Sequence, residues 1–164
     1  MILDAHGLRV ELPAGWSGRV FARAPAGRAV DRRAARLHAG NFPVVLGDGE
    51  FGDRSTGAMP VPGAFVALAE YLPGKGLEPG RGLFASGRIP LPLDPTAFGE
   101  SRLAHPRANQ VGMQHFFTAS ARPFCLYVVL AGGRRERRLQ LAAVDHVLRT
   151  LRVEPAAVGA QAPA

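Results

Sequence analysis

The sequence predicts an α+β domain, a mostly antiparallel sheet with one C-terminal helix packed on a face of it. Three observations carry this. Two apolar runs, residues 111–119 and 122–130, are separated only by Ser120-Ala121, which is the spacing of a β-hairpin. From Arg134 to Leu151, a 100° repeat gathers Leu141, Val144, Val147, Leu148 and Leu151 on one stripe, as in an amphipathic helix. Near the start, Leu8, Val10 and Leu12 alternate with Arg9 and Glu11, the signature of a half-buried strand. A length of 164 residues suits one domain. It is expected over residues 1–154, with the Ala- and Pro-rich segment 155–164 as a disordered tail.

Each element follows in order. Pro13-Ala14-Gly15 stops the first strand, and Trp16, the one tryptophan, is expected in the core. Residues 19–23 read as a second short strand. Residues 24–35 are mostly Ala, Gly, Pro and Arg with no apolar period, which predicts a mobile loop. Extended structure resumes over 36–46, and 47–57 is turn-rich and acidic. Residues 64–72 form a nearly unbroken apolar run bounded by Gly63 and Pro73, so a buried strand is expected. Four Gly and two Pro make 73–82 a surface loop. Residues 83–93 are extended pieces broken by Pro90 and Pro92. Asp94-Pro95 is a helix-start pair for one short turn over 95–99. In the hairpin, both faces of 122–130 are apolar, so that strand is expected to be central and covered on both sides. Phe116 and Phe117 must point to opposite faces, one of them under the helix or a loop. Gly132-Gly133 breaks the strand before the helix, whose opposite face is assigned Arg134, Arg138, Asp145 and Arg149.

The ends of the chain carry a resemblance. A strand closing in Leu12-Pro13-Ala14-Gly15-Trp16, a long hairpin, and a last helix running into Leu148-Arg149-Thr150-Leu151-Arg152-Val153 resemble the PsbP-like superfamily. That superfamily includes extrinsic photosystem subunits, a Ran-binding nuclear transport factor and many bacterial proteins. The resemblance covers roughly 60 residues and implies a PsbP-like α/β sandwich, an antiparallel sheet flanked by helices. Its known members mainly bind other proteins, and they share a scaffold rather than a chemistry, so no active site is transferred.

Composition narrows the classes. Mean hydropathy is +0.03 and 47 % of residues are hydrophobic, which excludes wholesale disorder. No apolar run reaches the 18 residues a membrane span requires. The start lacks a basic region followed by a long apolar stretch, so a soluble, cytoplasmic protein is expected. One cysteine excludes an internal disulfide. The net charge of +7 rests on Arg, with Lys75 the single lysine. Two basic blocks, 19–36 at +5 and 134–152 at +4, flank a middle, 37–100, of −3. Such a field attracts anionic partners.

The motifs for chemistry fail one by one. Gly47-Asp48-Gly49-Glu50-Phe51-Gly52 has the letters of a dinucleotide loop, but helix breakers follow it, and Asp48, Glu50 and Asp53 would repel phosphate. The acids also miss the spacing of a calcium loop. No Ser sits in a G-x-S-x-G, and the five His form no i,i+4 pair, so no catalytic residue, metal or cofactor is assigned. A non-catalytic binding or assembly module docking on a protein partner with an acidic surface is therefore expected. Two rival readings stand beside it. One is an enzyme or small-ligand binder with a cavity near His115, Cys125 and Tyr127. The other is a binder of anionic partners through Arg134, Arg135, Arg137 and Arg138, which crowd the first turn of the final helix. Nucleic acid is the weaker form of that rival, because the two basic blocks hold one aromatic, Phe21, between them.

Overall fold

A computed structural model describes residues 1–23, 33–74 and 76–156. The fold is α+β, with two antiparallel sheets and one long C-terminal helix. The small sheet has the order β1 (Ile2–Ala5), β2 (Leu8–Glu11), β8 (Arg152–Val153). The large sheet has the order β3 (Ser17–Arg23), β4 (Ala34–Gly40), β5 (Gly63–Glu70), β7 (Arg122–Ala131), β6 (Gln110–Ala119). A one-turn helix, α1 (Asp53–Gly57), and the long helix α2 (Arg134–Thr150) complete it, with 3-10 turns at Gly82–Phe84, Pro95–Ala97 and Glu100–Arg102.

The hairpin forms as its sequence predicts. Ala119 pairs with Arg122, leaving Ser120 and Ala121 as a two-residue loop with φ of +49° and +58°. Both central residues are thus in the left-handed region that matches strand twist. Every residue of β7 is buried, because β5 and β6 flank it and both faces are covered. On one face, Phe124, Leu126, Val128 and Leu130 share a core with Val144, Val147 and Leu148 of α2 and Leu8, Val10 and Leu12. On the other, Tyr127, Val129 and Ala131 join Phe42, Met59, Phe65 and Leu103 under the loops. Phe117 faces the helix side. Phe116 faces away, covered edge-to-face by Phe84 at 5.7 Å.

Several expectations shift. β4 begins at Ala34, inside the segment assigned to a loop, because Ala34 and Ala35 pair with Arg23 and Ala22. The rest of that loop, 24–32, and the tail residues 157–164 lie outside the described residues. Extended structure in β4 ends at Gly40 rather than at residue 46, where Asn41 turns the chain by bonding Ala64 N through Oδ1. Trp16 is half-buried at the rim of the core rather than within it. Asp145, assigned to the exposed face of α2, is buried at 6 % exposure and accepts from Leu93 N at 2.9 Å. Arg134 and Arg138 are not opposite the apolar stripe either. Seven residues fall 20° short of two turns, which stacks Arg134 almost directly above Leu141.

Candidate anion-binding cleft

The candidate site lies at the start of α2, where Gly132 with φ of +122° turns the chain out of β7. Gly133 N donates to the Glu136 carboxylate at 2.7 Å, closing the first turn. Helical spacing then sets Arg134, Arg137, Arg138 and Leu141 along one wall. Val111 and Leu130, paired in register across β6 and β7, form the floor. The second wall is the strap before β6, contributing Pro95, Thr96 and Phe98. The strap is held at three points. Asp94 caps it by accepting from Thr96 N at 2.8 Å. Asp145 clasps Leu93, and Gly99 and Gly112 exchange backbone bonds at 3.0 Å each. These pieces enclose a cleft of about 340 Å³.

Three guanidinium groups therefore border an apolar floor. None of Arg134, Arg137 and Arg138 is in an ion pair with a described residue. Arg137 Nε is buried and has no acceptor. A buried donor without a partner is costly, and a guanidinium meets a carboxylate with short, charge-assisted, often bidentate bonds. Arg135, grouped with the other three by sequence, does not line the cleft. The described residues of basic block 19–36 do not join it. β3 is the opposite edge of the large sheet from β6, and Arg36 of β4 is committed to Glu50 at 3.3 Å.

His115, Cys125 and Tyr127 are not brought together. Their register puts Phe116 opposite Cys125 and His115 opposite Leu126, so the sheet itself separates His115 from the other two. His115 stacks on Phe117 at 6.0 Å, with Nε2 2.9 Å from Arg88 O. Cys125 is fully buried, and desolvation, with a smaller push from Glu50, raises its thiol to about 12. It is a packed core residue rather than a nucleophile. Tyr127 Oη accepts from Ala104 N at 3.0 Å, and burial raises its pKa as well.

The glycine-rich acidic turn is structural. Asp48 accepts from Gly49 N, Arg54 N and Ser55 N at 2.7–3.0 Å. Burial alone would raise its pKa, but the bonds from Ser55, Arg54 and Gly49 outweigh it and hold the carboxyl below its ordinary range. Gly52, at φ of +67°, is required because a Cβ there would meet Phe65 Cζ at 2.1 Å. Asp53 pairs with Arg107 at 2.7 Å. No group of three or more His, Cys, Asp and Glu suited to a metal occurs among the described residues.

What sequence reasoning missed is the apolar floor and the strap. The seven-residue step from Arg134 to Leu141 was the available signal for a mixed cationic and apolar wall. The strap's position needed the Asp145–Leu93 bond, which spans 52 residues. Among the described residues no helix is long and apolar enough to cross a membrane. Comparison of the chain with protein-family models, with curated proteins and with solved structures returns no match in any of the three.

Proposed function

We propose that the protein is a non-catalytic binding module that holds an anionic group of its partner in the Arg134–Arg137–Arg138 cleft. The single observation carrying this reading is that three arginines without ion-pair partners among the described residues line one concave site. Clefts of this size that combine apolar lining with a few convergent polar groups are the usual form of a binding site. The expected acidic partner is thereby narrowed to one that inserts its charge into a recess. The resemblance of the chain's ends to the PsbP-like superfamily adds support, since its known members mainly bind rather than transform. His115 lies on the opposite face of the sheet from Cys125 and Tyr127, so this reading does not draw on those three residues.

Retention on a carboxylate matrix tests the reading. The triple variant Arg134→Ser, Arg137→Ser, Arg138→Ser is compared with Arg54→Ser, Arg81→Ser, Arg149→Ser, which removes the same charge from other exposed positions. Elution at clearly lower salt from the first variant than from the second is expected, because exposed charges are screened within about 10 Å at 0.1 M. Equal elution of the two variants overturns the proposal.

A further inference from the structure

The cleft joins two chemistries at short range, and that spacing restricts what can occupy it. Leu141 stands one turn below Arg137 and Arg138, so its Cβ is about 5–6 Å from theirs and both line the same cleft. Val111 and Leu130 extend the same apolar surface inward, each under a tenth exposed. A ligand that seats an anion on the guanidinium groups must therefore present apolar atoms directly beside it. A polar body, such as a sugar or an unbroken run of acidic side chains, would lose its hydration against Val111, Leu130 and Leu141 without gaining a hydrogen bond.

The charge of the head group is restricted as well. The Glu136 carboxylate is held at the same helix end by Gly133 N, where it lowers the local positive field and occupies a backbone donor that an anion would otherwise use. Two of the guanidinium groups suffice to hold a single carboxylate head through charge-assisted, bidentate bonds.

Resting on the binding-module reading, we infer that the cleft binds a small amphiphilic carboxylate, a single acid group borne directly on an aliphatic or aromatic body. The volume of about 340 Å³ sits at the low end of small-molecule sites, which suits a free small molecule rather than a stretch of polypeptide or a bilayer surface. The carboxylate bridges the guanidinium groups, and the apolar body lies on the floor between helix and strap.

Calorimetric titration with octanoate tests this on the full chain, with octanol, acetate and phosphatidylglycerol vesicles as parallel arms. Saturable one-site binding of octanoate is expected, with octanol and acetate at least about tenfold weaker. The Arg134→Ser, Arg137→Ser, Arg138→Ser variant should lose octanoate by a similar factor. Methyl resonances of Val111, Leu130 and Leu141 should shift with octanoate and not with acetate, a readout that needs no variant. Octanol binding as tightly as octanoate, or saturation without movement of those methyls, overturns the inference. So does vesicle binding in the absence of octanoate binding. Salt-sensitive matrix retention lost in the triple variant, with no octanoate binding, overturns this inference while the binding-module reading stands. Failure of both experiments overturns both.

Discussion

Arg122 and Glu70 form the most consequential polar contact in the core, and breaking it should cost more than any surface change. Arg122 is 4 % exposed and Glu70 1 %. Arg122 Nε and Nη2 donate to the two carboxylate oxygens at 2.9 Å each, a bidentate pair. The same guanidinium donates to the carbonyls of His6, Gly7 and Glu154, and Glu70 Oε2 accepts from Ala35 N. One pair thus ties β4, β5 and β7 of the large sheet to the β1–β2 turn and the strand β8. Arg122→Met takes from a buried carboxylate the guanidinium that donates to both its oxygens, and leaves three carbonyls without that donor. Removing one partner of a buried pair costs about 3–5 kcal/mol. For a domain of this size each kcal/mol lowers Tm by about 2–4 °C, so a fall of roughly 6–20 °C is expected. Glu70→Leu should fall in the same range. The double variant removes both charges together and should be less destabilised than the sum of the singles by about 1–3 kcal/mol, because the two side chains are in direct bidentate contact. Urea titration of the four proteins in a double-mutant cycle measures this. Single changes below about 1 kcal/mol, or strictly additive ones, would refute the account.

Three further outcomes follow from the packing and its charges. Leu148, 4 % exposed between α2 and the hairpin face, should lose about 2–5 kcal/mol on replacement by Ala, and an unchanged melting transition would contradict the helix placement. Ala121→Gly should stabilise by about 0.5–1 kcal/mol, since Ala121 holds φ of +58° at a strain that glycine avoids, and a lower Tm would show the turn is relaxed as it stands. His38, 1 % exposed between Phe21 and Phe65, has its pKa lowered by burial. The Glu50 carbonyl and Asp48 oppose that shift, while Arg19 and Arg36 reinforce it. The unfolded chain therefore binds the proton more readily. Stability should fall as pH drops below the unfolded value of about 6.5, by at most about 1.4 kcal/mol per pH unit from this residue. His38→Gln should flatten that slope in denaturant titrations between pH 7 and pH 5, and an unaltered slope would place the titration elsewhere.

The parts of the fold that were legible in the sequence are those where local chemistry and tertiary packing agree. The hairpin, the Asp94-capped turn and the stripe from Leu141 to Leu151 each satisfy a short-range rule that the core then reuses. The start of β4 was illegible because Ala34 and Ala35 carry no apolar period. Only pairing to β3 and the Glu70 oxygen on Ala35 N make them strand. Asp145 misled for the same reason, since a carboxylate on a helix reads as exposed unless its distant acceptor role toward Leu93 is known. Of the candidate site, the four arginines were visible, but which of them share a recess was not. The supposed group of His115, Cys125 and Tyr127 failed on the alternation of side chains along two paired strands, a rule the sequence already contains once the register is fixed.

The start of α2 remains the point where local preference and structure disagree. Arginines in the first turn oppose the helix dipole at a cost of a few tenths of a kcal/mol each, and Arg134 and Arg138 repel at i,i+4. Glu136 is the one acid of that turn, and its carboxylate is used on Gly133 N. A chain-wide preference for Arg over Lys accounts for the residue type. It does not account for three of them lining a recess whose floor is Leu130 and Val111. Departures from local rules concentrate where a protein binds, because the bound group supplies what the free chain lacks. An anion in the cleft would offset the dipole, relieve the repulsion between Arg134 and Arg138 and provide an acceptor near Arg137. The same substitutions that abolish binding should accordingly leave the free protein as stable as before, or slightly more so.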